Sequence, residues 1–155
     1  MPVKKDKLLQ EVVERGFPEL LPHDLQISYE SLKDTYEAYG RLEGGGWYIE
    51  LDRTLIGAPD RAKKGAIAHT LVHITDEMKL SGRESFFDRL LYKFSGRYTI
   101  LDERNTDINV LIRGFSEELL ALGEYLESKN YNLGEETGIT PSELRKILKI
   151  QVKRE

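Results

Sequence analysis

The chain has 155 residues, about the length of one domain, and 39% of them are hydrophobic and 32% charged. This composition can supply a core and a solvated surface and argues against disorder, while the net charge of -4 argues against a protein that coats nucleic acid through its overall charge. The absence of cysteine excludes disulfides, thiolate catalysis and cysteine-ligated zinc, so a bound metal would need histidine and carboxylate ligands.

The first part of the chain is predicted to form one helix and two strands. Apolar residues recur at helical spacing from Lys4 to Arg15, and Gly16 is expected to end this helix. Apolar and polar residues then alternate over 25–29, which predicts a strand. A second strand is predicted over Trp47 to Leu51, directly after the turn made by Gly44 to Gly46.

The rest of the chain is predicted to be helical. A helix begins at Pro59 and Asp60 and extends to about Leu80, and its middle, 66–74, is apolar on nearly all sides, which indicates burial. The other predicted helices are 86–94, Asp102 to Arg113, Ser116 to Lys129, 133–137 and one that begins at Pro141 behind a capping box of Thr140 and Glu143. With strands early and helices later, the expected class is α+β with a small sheet, in a single domain over 1–155.

No stretch approaches the ~20 consecutive apolar residues that a membrane span needs. The first ten residues also lack the apolar segment of a signal peptide. We therefore expect a cytoplasmic protein that makes no contact with membranes.

Two of the three histidines, His69 and His73, lie four residues apart on the buried helix. Their imidazoles project from one face, one turn apart, and can both reach a single zinc ion at ~2.0–2.1 Å. The alternative is a pair of core histidines that are hydrogen-bonded to a backbone carbonyl or an acid, although so apolar a segment offers few such partners. The remaining histidine, His23, is predicted to lie in a surface loop.

A carboxylate should complete the site. Glu103 and Asp107 lie four residues apart at the start of a later predicted helix and therefore on one face. The alternative is an acidic first turn that the helix dipole favours and that water solvates.

His69-Thr70-Leu71-Val72-His73 followed by Glu103-Arg104-Asn105-Thr106-Asp107 resembles the zincin arrangement of the gluzincin kind, as in small archaeal and bacterial metallopeptidase-like proteins. The resemblance covers Ile27 to Leu122. It implies a zinc ion held by His69, His73 and Glu103, with Asp107 orienting a histidine from outside the ligand set. It also implies that Trp47 to Leu51 is an edge strand beside the metal-site helix.

The sequence departs from this family at Thr70, which stands at the position of the family's catalytic glutamate. That glutamate takes a proton from the zinc-bound water, whereas a hydroxyl has no accessible ionisation near neutral pH. The resemblance and its departure together imply a metal-binding protein that is inactive or impaired as a peptidase, with a peptide or protein as its partner. Asp76 and Glu77 are an alternative source of a carboxylate, but they lie a turn beyond the metal and are expected to cap the helix end or to be solvated there. Thr70→Glu is expected to restore activity.

The C-terminal residues support a second hypothesis. Residues 133–148 resemble the two central helices of a helix-turn-helix, with Ser116 to Lys129 as the helix that packs on them, so that 116–155 would form a subdomain. Arg145, Lys146 and Lys149 would then contact the phosphates of a nucleic acid. The alternatives are a helical hairpin that closes the domain and, for the whole chain, a metal-free interaction protein.

Overall fold

The computed structural model describes residues 6–80, 96–131 and 138–154. The α+β class is confirmed: a three-stranded mixed sheet comes first, and helices dominate afterwards. The described helices are α1 (Lys7–Gly16), α2 (Asp60–Lys79), α3 (Gly96–Ile112), α4 (Ser116–Ser128) and α5 (Pro141–Arg154). The predicted helices at 86–94 and 133–137 lie outside the described residues.

The sheet contains β1 (Leu25–Glu30), β2 (Glu37–Arg41) and β3 (Trp47–Asp52) in the order β1-β3-β2. β3 runs parallel to β1 and antiparallel to β2. The prediction that the strand at Trp47–Leu51 lies at an edge is therefore wrong, because this strand pairs on both sides. The edge strand beside the metal-site helix is β2, which the sequence analysis did not predict, since its sequence EAYGR contains a glycine and has no clear alternation.

Most predicted helix boundaries agree with the structure to within a few residues. α1 begins at Lys7 because the side chain of Asp6 caps it, accepting a hydrogen bond from the backbone N–H of Leu9 at 2.9 Å. α3 begins at Gly96, before its predicted start. The capping box at α5 is confirmed, since Thr140 Oγ1 accepts from the N–H of Glu143 at 3.2 Å and Thr140 donates its own N–H to Glu143 Oε1 at 3.3 Å.

Helix α2 lies at the centre of the molecule and contacts α1, α3, α4, β2 and β3. Its predicted burial is confirmed, because every residue from Gly65 to Val72 is buried. α4 crosses it closely: a Cβ on Gly65 would lie 2.3 Å from the carbonyl oxygen of Glu118. Side chains in the middle of α2 are therefore held by tight packing on several sides. None of the described helices is long and apolar enough to cross a membrane.

Candidate metal centre

The two histidines of α2 face a common point. Nε2 of His69 lies 3.2 Å from Nε2 of His73, and the ring centroids are 4.9 Å apart. The helix supplies this arrangement directly, because residues four apart lie one above the other on the same face. His69 is almost fully buried and His73 is partly buried.

Helix α3 brings Glu103 to the same point. Its Oε2 lies 3.0 Å from Nε2 of His69, and its Oε1 lies 3.5 Å from Nε2 of His73. One turn further along α3, Asp107 places Oδ1 2.9 Å from Nδ1 of His69. The His69 ring is thus fixed through one nitrogen by Asp107, while its other nitrogen faces Glu103 and His73.

A third carboxylate, Glu37 of β2, reaches the cluster and was missed by the sequence analysis. Its Oε1 lies 3.9 Å from Nε2 of His69 and 3.8 Å from Nε2 of His73. Glu37 lies directly opposite Leu51 in the antiparallel pair, so its side chain projects to the face that carries this buried leucine. Glu37 could have been identified from the sequence only by predicting that residues 37–41 form a strand of this sheet.

Two tyrosines beside Glu37 flank the histidines. The ring of Tyr39 stacks on His73 with centroids 5.8 Å apart and planes 11° apart. The ring of Tyr36 lies 5.7 Å from that of His69. β2 and the residue before it therefore cover one side of the cluster with two aromatic rings and a carboxylate.

The spacing of these donor atoms suits one metal ion. Metal–ligand bonds of ~2.0–2.1 Å in a tetrahedral site place neighbouring ligand atoms about 3.3–3.4 Å apart. The distances from the two histidine Nε2 atoms to each other and to the nearest glutamate oxygens are 3.0–3.9 Å. Glu37, His69 and His73 each offer a ligand atom within 4.8 Å of the others and could hold an ion, and Glu103 lies closer still to both histidines.

The carboxylates also set the protonation of the histidines. Burial by itself lowers the pKa of His69, but hydrogen bonds to Asp107 and Glu103 outweigh it and raise that pKa well above its usual value. Burial likewise lowers the pKa of His73, and Glu103 and Glu37 reverse the effect and raise it. Burial raises the pKa of Glu103, but contact with the two histidines brings it far below its usual value. Without a metal, the cluster thus favours protonated imidazoles beside ionised carboxylates, and protons compete with a metal for the same nitrogens.

Thr70 is fully buried beneath this cluster. Its Oγ1 lies 2.9 Å from the carbonyl oxygen of Ala66 and 3.1 Å from Oε2 of Glu37. Position 70 therefore holds a buried hydroxyl that lies within hydrogen-bond distance of the carboxylate of Glu37.

The residues predicted to contact nucleic acid lie on α5. Leu144 is buried in the core, and α5 packs against α4. Arg145 forms an ion pair with Glu124 at 3.0 Å, whereas Lys146 and Lys149 are exposed. No observation tests whether this face binds nucleic acid, and the hypothesis stays a prediction. His23 lies in an exposed loop, as predicted.

No protein-family model, no curated protein and no solved structure matches this chain. The chemistry of the cluster must therefore be argued from its own residues.

Proposed function

We propose that this chain binds one zinc ion through His69, His73 and Glu103 and is not an effective peptidase. The observation that carries the proposal is the convergence of these three side chains from two helices at distances of 3.0–3.5 Å. Glu103 is chosen ahead of Glu37 because its oxygens lie closer to both histidines. Asp107, on the other nitrogen of His69, takes the role of the acid that orients a ligand and raises its basicity.

Zinc is the metal that this donor set favours. Two imidazoles and a carboxylate are typical zinc ligands, whereas magnesium and calcium prefer sites made of oxygen atoms alone. The distances also suit the short bonds and four-fold coordination of zinc. The likeness to the gluzincins, which the spacing of these residues suggested, supports the same three ligands.

The lack of effective peptidase activity follows from Thr70. General acid–base catalysis contributes about 10²–10⁴-fold to a rate, and a buried threonine hydroxyl cannot supply it near neutral pH. If these three residues are the only protein ligands, the metal would still acidify a bound water, which supports at most weak hydrolysis of an activated ester.

Metal analysis of protein purified without chelators or a histidine tag tests the proposal. We expect one zinc per wild-type chain, and none in His73→Ala. Because zinc binds the folded state, we expect it to raise the Tm of the wild type and not that of the variant. His23→Ala, a change in the exposed loop, is the control and should bind zinc as the wild type does. A wild type that holds no metal after incubation with zinc would refute the proposal.

A further inference from the structure

We infer that Glu37 is a fourth metal ligand, held in place by the hydroxyl of Thr70, and that it closes the site. This inference rests on the proposed zinc site at His69, His73 and Glu103. Thr70 is then a positioning residue that holds the carboxylate of Glu37. A fourth protein ligand also changes the class of the site, from one with an open position for water or substrate to one filled by the protein.

Glu37 lies close to both proposed histidine ligands. Its Oε1 is almost equidistant from the two histidine Nε2 atoms, at 3.9 and 3.8 Å. These distances exceed the spacing of about 3.3–3.4 Å between ligands in a tetrahedral zinc site by only about half an ångström. A small movement of one side chain would therefore bring Glu37 into contact with an ion bound by the other three residues.

The two carboxylate oxygens of Glu37 face different partners. Oε1 faces the histidines, whereas Oε2 accepts a hydrogen bond from Thr70 at 3.1 Å. The hydroxyl has one proton and a second acceptor in Ala66, but a bond to an ionised carboxylate is the stronger of the two. Thr70 thus holds the oxygen that does not face the metal, which an ionised glutamate at this position could not do because it has no proton to donate.

The four proposed ligands are largely buried. The side chains of His69, His73, Glu37 and Glu103 are 2%, 13%, 11% and 12% exposed. The rings of Tyr36 and Tyr39 lie against the two histidines. Zinc sites with four protein ligands are structural, whereas catalytic sites keep one position for water. An ion held by all four residues would tie β2 to α2 and α3.

Cobalt substitution tests whether the fourth position is filled. The visible spectrum of bound Co²⁺ reports its coordination, and azide is a small anion that can enter an open position. We expect the spectrum of the wild type to be that of a four-coordinate ion and to stay unchanged when azide is added. In Glu37→Gln and Thr70→Val, we expect azide to change the spectrum, because the carboxylate is lost or no longer held.

Zinc affinity, measured by competition with a chelator, gives a second readout. Loss of an outer partner of a metal ligand typically costs 10–100-fold in affinity, and we expect Thr70→Val to fall in this range. Glu37→Gln should lose at least as much, and Thr70→Ser, which keeps the donor, should bind zinc within a few-fold of the wild type. Glu43→Gln, in the exposed loop after β2, is the matched control and should leave the affinity and the spectrum unchanged.

The failures are distinguishable. If the wild type binds zinc but azide alters its cobalt spectrum, and Glu37→Gln binds zinc as tightly as the wild type, Glu37 is not a ligand and the inference is wrong. If Thr70→Val weakens binding and Thr70→Ser weakens it equally, Thr70 acts through packing and not through its hydroxyl. A wild type without any metal refutes the proposed function itself.

Discussion

Thr70 contacts both its own helix, at the carbonyl of Ala66, and the edge strand, at Glu37. The resemblance to the gluzincins predicts that the residue at this position replaces a catalytic base. In the fold it is a fully buried donor beside a carboxylate that the sequence did not place there. With threonine at this position, the hydroxyl contacts the acid that β2 brings towards the two histidines, whereas a glutamate would add an acid from α2 itself.

The proximity of Glu37 changes what is expected of Thr70→Glu. A second carboxylate at this buried position would lie beside Glu37 and repel it, so the single substitution should be destabilising and should not produce a peptidase. In Thr70→Glu combined with Glu37→Ala, the repulsion is removed and the fourth position is opened to water. We expect the double variant to hydrolyse an unstructured protein faster than the wild type, by up to the ~10²–10⁴-fold that a general base contributes.

Hydrolysis of a fluorescently labelled unstructured protein measures this difference, with zinc-loaded samples of all variants. Glu37→Ala alone is the control, because it opens the site without adding a base. Peptidase activity in the single variant Thr70→Glu equal to that of the double variant would contradict the proposed conflict between the two acids.

At the scale of elements, α3 links the candidate metal centre to the start of α5. Asp107 contacts both: its Oδ1 lies 2.9 Å from Nδ1 of His69, and its Oδ2 accepts a hydrogen bond from the backbone N–H of Ile139 at 2.7 Å. Arg104, on the same helix, pairs with Glu143 at 2.7 Å and lowers the pKa of that carboxyl to about 2. The segment directly before the C-terminal helix therefore contacts the same acid that orients a proposed ligand.

This link makes a substitution far from the ligands in sequence a test of the site. A Cβ on Gly138 would lie 1.9 Å from Oδ2 of Asp107, so Gly138→Ala must displace either this carboxylate or the start of α5. Because Asp107 holds the His69 ring, we expect Gly138→Ala to weaken zinc binding by roughly 10–100-fold, the usual effect of losing an outer partner.

Competition with a chelator measures that affinity, and Gly57→Ala is the matched control. The nearest atom to a Cβ on Gly57 is the Tyr125 hydroxyl oxygen at 3.9 Å, an ordinary contact distance. Equal zinc affinity in the wild type and Gly138→Ala would show that Asp107 does not transmit the change to His69.

At the scale of the molecule, the buried apolar residues of the described part of the chain form one core cluster, to which residues from Leu9 to Leu144 contribute. This cluster is consistent with a single domain, which stays a prediction for 1–155. The ionisable cluster lies against this core, and its charges should therefore influence global stability as well as metal binding.

The pKa shifts give the metal-free protein a defined pH dependence. His69 and His73 have pKa values above the usual 6.5. Their contribution to the free energy of unfolding is therefore fully present below pH 6.5 and is lost as the pH rises through their folded-state pKa values. Glu103 has a pKa below the usual 4.5, so its contribution is present above that pH and is lost as the pH falls through its folded-state value. The cluster should therefore stabilise the metal-free fold most between about pH 4.5 and 6.5.

Thermal unfolding from pH 6 to pH 9, with chelator and with zinc, measures this dependence. The difference in Tm between wild type and His73→Ala, with chelator present, should decrease as the pH rises, while the increase in Tm that zinc gives the wild type should grow as protons leave the imidazoles. The comparison with His73→Ala removes the effect of titrating groups elsewhere. A difference that grows with pH in the absence of metal would contradict the assigned shifts.

Local patterns in the sequence were sufficient to predict the burial of α2, the start of α5 and the helix faces that carry the site residues. The all-apolar middle of α2 predicted its burial, and the capping box at Thr140 and Glu143 predicted the start of α5. The spacing of four residues predicted that His69 and His73, and also Glu103 and Asp107, would share a helix face. Each of these features depends on the 3.6-residue period of a helix or on contacts within one helical turn. Such contacts join residues only three or four positions apart, so the local sequence is enough to predict them.

The tertiary structure alone decided the rest. It showed that β3 is central and that β2 is the edge strand beside α2, and it brought Glu37 to the histidines, because strand order and pairing depend on contacts between residues distant in the chain. It also gave Thr70 its partner, since the hydrogen bond from Thr70 to Glu37 joins a helix to a strand 33 positions away. A carboxylate that reaches a site through sheet pairing has no fixed spacing from the other residues of the site, and so no local pattern could predict it.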